Sequence, residues 1–129
     1  MGAKDKIPPS DELVETMGTY SFLVGDYEEA ASWFQQARDR SPESPSVHHN
    51  FSMALSRLDK LKGAIEASER AVALDENEAR YTYQLALVLD RDGQIEKASE
   101  QYRRFLKLTD DERASLSVRE HLAELAQPK

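Results

Sequence analysis

An all-α fold is predicted by three features of this sequence. The first is a period of 34 residues, which carries Ala30 onto Ala64 and then onto Ala98. The second is the recurrence of turn-forming residues at matching points of each period, and the third is the lack of segments that alternate with a period of two over any length. A fixed period in this range is typical of stacked repeat arrays, which present binding surfaces more often than they perform chemistry.

The length of 129 residues accommodates three units and about half of another. Three stacked units can bury a continuous apolar core that one unit could not. The expected divisions are a flexible N-terminal tail at 1–10, three units at 11–44, 45–78 and 79–112, and a capping helix with a tail at 113–129, the helix starting near residue 110.

Each unit is predicted to be a helix, a tight turn and a second helix. In the first unit, Ser10 is a candidate N-cap for a helix over 11–24, and Gly25 suits a left-handed C-terminal turn. A second helix over 27–40 ends before Pro42, because the residue before a proline is pushed out of helical geometry.

The second and third units repeat this pattern. Ser44 is the candidate cap of the third helix, and Pro45 occupies its first position, where a missing N–H costs nothing. The predicted helices of these units cover 45–58, 61–73, 79–90 and 95–108.

A seventh helix is predicted at the C-terminal end. Thr109 and Glu112 have the spacing of a capping box. The helix then carries an apolar stripe consisting of Ala114, Val118, Leu122 and Leu125. Since an array needs a polar outer face at its end, we interpret this helix as a solvating cap. The alternative is a latch that covers a binding surface.

The repeated residues resemble the tetratricopeptide repeat (TPR) family. The residues that carry the resemblance are Val14, Met17, Gly18, Ala30, Phe34, Ala37 and Pro42, then Phe51, Ser52, Ala64 and Ala71, then Leu85, Ala86, Ala98 and Tyr102. The resemblance implies a right-handed α-solenoid of three helix-turn-helix repeats, in which the first helix of each unit lines a concave groove.

The resemblance also implies which side chains face that groove. The predicted peptide-binding residues are Thr19, Phe22, His49, Asn50, Met53, Arg57, Arg80, Tyr83, Gln84, Leu87 and Arg91. Tyrosine, methionine and arginine are enriched at protein interfaces. The expected partner is therefore a protein or peptide with an apolar anchor and an acidic group, with a homodimer as a further option.

We expect a non-catalytic adaptor or scaffold that binds a segment of a partner protein. One subgroup of the family grips the terminal carboxylate of chaperones with a lysine, two asparagines, a lysine and an arginine. Asn50 matches that pattern and Arg80 could replace one lysine, but Glu15, Thr19 and Gln84 depart from it. The alternatives are a small acidic chaperone of a bacterial secretion system and a self-associating structural module of a larger protein.

Composition argues against other classes of function. A net charge of -7 argues against a nucleic-acid or anionic-membrane partner, and zero cysteines exclude disulfides and thiolate metal sites. No apolar run has the length of a membrane span, and the N-terminus has no signal-peptide core, so a cytoplasmic location is expected. No catalytic motif, metal-ligand spacing or cofactor loop is present, which predicts a protein without enzyme activity, metal or cofactor.

Overall fold

The computed structural model describes residues 10–128, and every regular element in that range is an α-helix. The helices are α1 (Asp11–Leu23), α2 (Tyr27–Arg40), α3 (Pro45–Arg57), α4 (Leu61–Leu74), α5 (Ala79–Arg91), α6 (Ile95–Leu108) and α7 (Glu112–Leu125). Helices pack in pairs, α1 with α2, α3 with α4 and α5 with α6. Each pair stacks on the next through α2 and α3 or α4 and α5, so the predicted all-α solenoid is confirmed. The N-terminal tail predicted at 1–10 lies outside the described residues except for Ser10.

The turn inside each unit uses the left-handed backbone region at one repeated position. Gly25 has φ 87° and Gly93 has φ 82°, as turns that end a helix favour. The equivalent position of the second unit is Asp59, which adopts φ 59° although it carries a side chain. The turns therefore keep one backbone shape in all three units, and the second unit bears some steric cost for it.

Of the three predicted helix caps, Ser10 and Ser44 occupy the N-cap positions of α1 and α3, with Pro45 at the start of α3, and the third is wrong. Ser10 accepts a hydrogen bond from the Leu13 amide at 3.0 Å, as predicted. Ser44 makes no side-chain cap bond, and its hydroxyl instead lies 3.2 Å from that of Ser46. The predicted capping box is wrong, because α7 begins at Glu112 and its N-cap is Asp111.

The physical reason lies in the chain before α7. Thr109 is extended, with φ -91° and ψ 143°, and its hydroxyl accepts from the Asp111 amide at 3.1 Å. The Thr109 hydroxyl therefore forms its hydrogen bond within the short turn before α7, and it does not cap an amide of the helix itself. The Asp111 carboxylate then caps α7 by accepting from the Ala114 amide at 3.0 Å.

Small residues occupy the crossings between the two helices of each unit. Ala30, Ala64 and Ala98 are fully buried. At Gly18, an added Cβ would lie 2.5 Å from the Phe34 ring, so no larger residue fits without moving that ring. The repeat period is thus a packing requirement that lets the helices approach closely.

Candidate functional site

A cleft of about 540 Å³ opens between α3, α5 and α7. It gathers six of the eleven residues predicted for the groove, namely His49, Met53, Arg80, Tyr83, Gln84 and Leu87. The other lining residues are Ala79, Phe105, Thr109, Asp111, Ala114 and Ser117. The first helices of the second and third units therefore meet on one concave surface, and the C-terminal helix forms an additional wall.

The apolar part of the cleft is built around Tyr83. The Tyr83 ring lies 5.0 Å from that of Phe105 and 6.2 Å from that of Tyr102, measured between ring centroids. Met53 and Leu87 are half-buried and complete this apolar lining. Aromatic contacts on two sides fix the position of the Tyr83 ring, so the lining is preformed for an apolar group.

Arg80 provides positive charge at the rim of the cleft. Its side chain is 69% exposed, and Nε donates to Glu78 Oε1 at 2.7 Å. The guanidinium also lies 5.5 Å from the centroid of the Tyr81 ring. The hydrogen bond to Glu78 raises the pKa of Arg80, which therefore stays charged at all ordinary pH values. An exposed pair of this kind contributes little to stability, so Arg80 can exchange its partner at low cost.

His49 is a half-buried residue whose hydrogen bonding is incomplete. Its ring packs against that of Tyr81 at 5.1 Å, and Nδ1 is buried without a hydrogen-bond partner in the described structure. Burial, together with the charge of Arg80, lowers the pKa of His49 to about 4, against an opposing effect of Glu78. The imidazole is therefore neutral at pH 7, and a ligand could supply the missing hydrogen bond.

Gln84 touches the cleft but is mostly committed to the interior. It is buried, and Nε2 donates to the Ser52 hydroxyl at 3.2 Å. That hydroxyl in turn donates to the Ala64 carbonyl at 2.8 Å. The amide thus links two neighbouring units, and only part of the side chain is available to the cleft.

The groove residues of the N-terminal half form a separate cluster. Arg57 lies over the rings of Phe22 and Tyr27, 5.4 Å and 5.3 Å from their centroids. Its Nη1 donates to the Tyr27 hydroxyl at 3.0 Å. Of the other predicted groove residues, Thr19 is exposed and Asn50 is half-buried. Neither of them lines the cleft.

Arg91, also predicted for the groove, closes the end of α3 instead. Its Nη1 donates to the Ser56 carbonyl at 2.8 Å and to the Ser56 hydroxyl at 2.6 Å, and Nη2 pairs with Asp59 at 3.2 Å. A cation at a helix C-terminus satisfies its unpaired carbonyls. Of the three predicted arginines, Arg80 is the one that lines the cleft.

Sequence reasoning favoured a solvating cap for α7 and gave a latch over a binding surface only as the alternative, and it did not name the residues by which α7 lines the cleft. Val118, the buried residue of α7, lies 34 residues after Gln84, whereas the bulky repeat position of α5 is Leu85. The apolar stripe of α7 is therefore offset by one residue from the repeat register. That offset was the available signal that α7 packs differently from the first helix of a further unit.

Within residues 10–128 there is no cluster of three or more side chains suited to hold a metal ion. Over the same range, none of the helices combines the length and the apolar character that crossing a lipid bilayer demands. His48, interpreted from the sequence as a packing residue, is buried, and its Nε2 lies 2.8 Å from the Pro42 carbonyl oxygen.

Comparison with known sequences gives a family match over the second and third units. The family described as tetratricopeptide repeat matches residues 45–78 and 79–112. Among curated proteins, the TPR repeat-containing thioredoxin TTL4 of Arabidopsis thaliana is 32% identical over 87 residues. The match covers 67% of this chain but 13% of that protein, so the chain spans only a small part of its length.

Comparison with solved structures gives the same fold over most of the chain. The first TPR domain of Spaghetti (RPAP3), bound to the HSP90 peptide SRMEEVD, has a TM-score of 0.81 at 24% identity, covering 91% of this chain and 96% of that one. A T3SS complex from Aeromonas hydrophila has a TM-score of 0.83 at 18% identity, covering 89% of this chain and 79% of that one. At these identities the likeness establishes the fold.

Proposed function

The chain belongs to the tetratricopeptide repeat family, and from that premise we propose that it is a non-catalytic adaptor that binds a segment of a partner protein in its concave groove. The observation that carries the proposal is the cleft between α3, α5 and α7, where an aromatic apolar lining stands beside an exposed arginine. Concave, mostly apolar sites with a few polar groups are the usual form of ligand sites.

The ligand suited to this cleft has an apolar anchor and a neighbouring acidic group. The anchor side chain packs between Tyr83, Leu87 and Phe105, where apolar area is removed from water. The acidic group exchanges with Glu78 as the partner of Arg80.

Similar folds bind chaperone tails, as the HSP90 peptide on the first TPR domain of Spaghetti illustrates. The groove described here differs in its charges from the pattern that grips a terminal carboxylate. Glu15 stands where that pattern has a cation and would repel the ligand, while the Gln84 amide is committed to Ser52. We therefore propose an internal segment of the partner, not its free C-terminus, as the ligand.

Affinity capture from a lysate tests the proposed groove. The wild-type chain is compared with a Tyr83→Ala, Arg80→Glu double variant, and bound proteins are identified by mass spectrometry. Arg70→Glu is the matched control, since it makes the same charge change on α4, outside the cleft. Proteins held by the wild type and the control but lost by the double variant support the groove.

A second measurement separates the two kinds of peptide ligand. SRMEEVD labelled with a fluorophore at its N-terminus is titrated with the protein, and fluorescence anisotropy reports binding. We expect no saturable binding below roughly millimolar concentrations, since Glu15 occupies a position that carries a cation in the carboxylate-gripping pattern. Micromolar binding that is lost when the peptide is amidated would show that the groove takes a free carboxylate after all. In the affinity capture, partner proteins that the double variant retains would place the binding site outside this cleft.

A further inference from the structure

Helix α1 presents an apolar stripe to solvent. Leu13, Met17, Tyr20 and Val24, here called the α1 stripe, recur at helical spacing and so share one face. Leu13, Tyr20 and Val24 are 48%, 62% and 59% exposed, and Leu23 beside them is 78% exposed. Large apolar side chains grouped on one face are the kind of surface that marks an interaction site.

The equivalent positions of the other two units are buried. Moving the first three stripe residues by one and two repeat lengths gives side chains that are all at most 9% exposed, namely Val47, Phe51, Ala54, Tyr81, Leu85 and Val88. They are buried because α3 packs against α2 and α5 packs against α4. The α1 stripe is therefore a continuation of the internal stacking interface, and none of the helices described within residues 10–128 covers it.

The size of Tyr20 indicates what kind of helix fits there. Its equivalents in the second and third units are Ala54 and Val88, both fully buried against the neighbouring unit. A tyrosine at that position holds an incoming helix farther away than the internal stacking does. The stripe is thus poorly matched to one more unit at the internal spacing, and suits a helix that offers space beside a large aromatic ring.

A second copy of α1 offers that space. We propose that the α1 stripe packs against the α1 stripe of a second copy of this chain in an antiparallel, two-fold arrangement. Pairing Met17 of one copy with Tyr20 of the other also pairs Leu13 with Val24, because both pairs share the same midpoint along the helix. A two-fold interface requires such self-complementarity.

The area available sets the strength of this contact. The exposed side chains supply on the order of 100 Å² each, so two copies bury about 800–1,000 Å², which is below the range of stable interfaces and within that of weak, transient ones. The net charge of -7 on each chain opposes association, and salt screens that repulsion. We therefore expect a reversible dimer with a dissociation constant on the order of 10–100 μM at physiological ionic strength.

Sedimentation equilibrium of the full chain tests the proposal. The average mass should rise from 14.6 kDa toward twice that value as the concentration increases through the micromolar range. Tyr20→Asp should weaken the association at least tenfold. Leu116→Asp is the matched control, because Leu116 is 59% exposed, close to the 62% of Tyr20, but lies on α7. Both positions are exposed, so circular dichroism should show unchanged helix content in each variant.

Cysteine cross-linking tests the register, since the natural chain contains no cysteine. A mixture of Met17→Cys and Tyr20→Cys chains should form mixed disulfide dimers at least fivefold faster than Leu116→Cys chains form their own. A monomer at every concentration would overturn the proposal and leave the stripe to a helix of another protein. A dimer that Tyr20→Asp leaves intact would also overturn it.

This inference is independent of the proposed adaptor function. No residue of α1 lines the cleft between α3, α5 and α7. Tyr20→Asp should therefore leave the captured proteins unchanged, and the Tyr83→Ala, Arg80→Glu variant should leave the sedimentation behaviour unchanged. Failure of one proposal is thus distinguishable from failure of the other.

Discussion

The imidazole of His121 on α7 meets the carboxylate of Asp90 on α5, with Nε2 2.5 Å from Oδ2. The Tyr102 hydroxyl of α6 donates to the same oxygen at 2.8 Å, so three helices converge on one carboxylate. The Tyr102 and His121 rings are also in edge-to-face contact at 5.3 Å. Val118 is the one buried residue of α7, and Ala114, Leu122 and Leu125 pack half-buried against the core, so this polar contact adds to the apolar contacts that hold α7.

The first prediction concerns the pH dependence of α7. The hydrogen bond to Asp90 raises the pKa of His121 above 6.5, with further support from Glu124 and opposition from burial. A raised pKa of a base means that its contribution to stability is fully present below pH 6.5 and is lost as pH rises through the folded-state value. Hydrogen exchange of α7 amides, corrected for intrinsic rates, should therefore show greater protection at pH 6 than at pH 9.

His121→Gln provides the control for that prediction. Glutamine can still donate a hydrogen bond to Asp90 but does not titrate in this range. The variant should lose most of the difference in α7 protection between the two pH values, while α3 and α4 exchange as before. An equal pH dependence in the wild type and the variant would assign it to other groups.

The second prediction is that His49 acts in the opposite direction. Because burial and Arg80 lower its folded-state pKa to about 4, the unfolded chain binds a proton between that value and 6.5 while the folded chain does not. The free energy of unfolding should therefore decrease as pH falls from 6.5 toward 4. Urea titrations at several pH values measure this, and His49→Gln should have a flatter profile.

An NMR titration assigns the two effects to individual residues. The His49 ring signals should move with a midpoint near 4, and those of His121 with a midpoint above 6.5. A His49 midpoint near the ordinary value of 6.5 would contradict its burial in the cleft wall. That result would also remove the neutral imidazole from the proposed ligand site.

The third prediction concerns the repeated left-handed turn. Gly25→Ala should cost about 1–2 kcal/mol, since φ 87° is unfavourable for any residue with a Cβ. The added methyl group would meet nothing within 4 Å, so the loss comes from the backbone and not from a clash. Asp59→Gly should change stability in the other direction, by up to about 1 kcal/mol, because φ 59° already strains the aspartate.

Chemical denaturation measures both variants against the wild type. Asp59 also pairs with Arg91 at 3.2 Å, so Asp59→Asn is needed to separate loss of the exposed charge from relief of the backbone. A stabilising effect of glycine that asparagine does not share would assign the strain to the backbone. Equal stability of Gly25→Ala and the wild type would contradict the observed turn geometry.

The repeat period predicted the helices because it records where two helices touch. Gly18 must stay small because the Phe34 ring lies against it, and that constraint is visible as a pattern in one sequence. The hydrogen-bond partners of the predicted groove arginines did not follow from the repeat pattern. Arg57 is held by Tyr27 and Arg91 by Ser56, partners about one repeat length away whose pairing depends on how units are rotated against each other.

The repeat period also did not predict that α7 forms a wall of the cleft. Within residues 10–128 no further unit packs on α7. Its buried residue Val118 aligns with Gln84 and not with Leu85, so α7 is rotated away from the repeat register. The polar contact between His121 and Asp90 joins residues 31 positions apart that no motif connects. The repeat pattern of the sequence predicts how the units stack, but it does not give the rotation of the helix that follows the last unit.

The fourth prediction tests the crossing at the centre of the array. Ala64 is fully buried, and its carbonyl oxygen accepts from both Ser52 and Ser68, at 2.8 Å and 2.9 Å. Ala64→Leu forces three more heavy atoms into this contact and should destabilise the fold by about 1–3 kcal/mol. Ala73→Leu is the control, because Ala73 lies on the same helix but is exposed and should change stability by less than about 0.5 kcal/mol. Thermal melts of the two variants, followed by circular dichroism at 222 nm, would contradict the close crossing of α3 and α4 if they coincided.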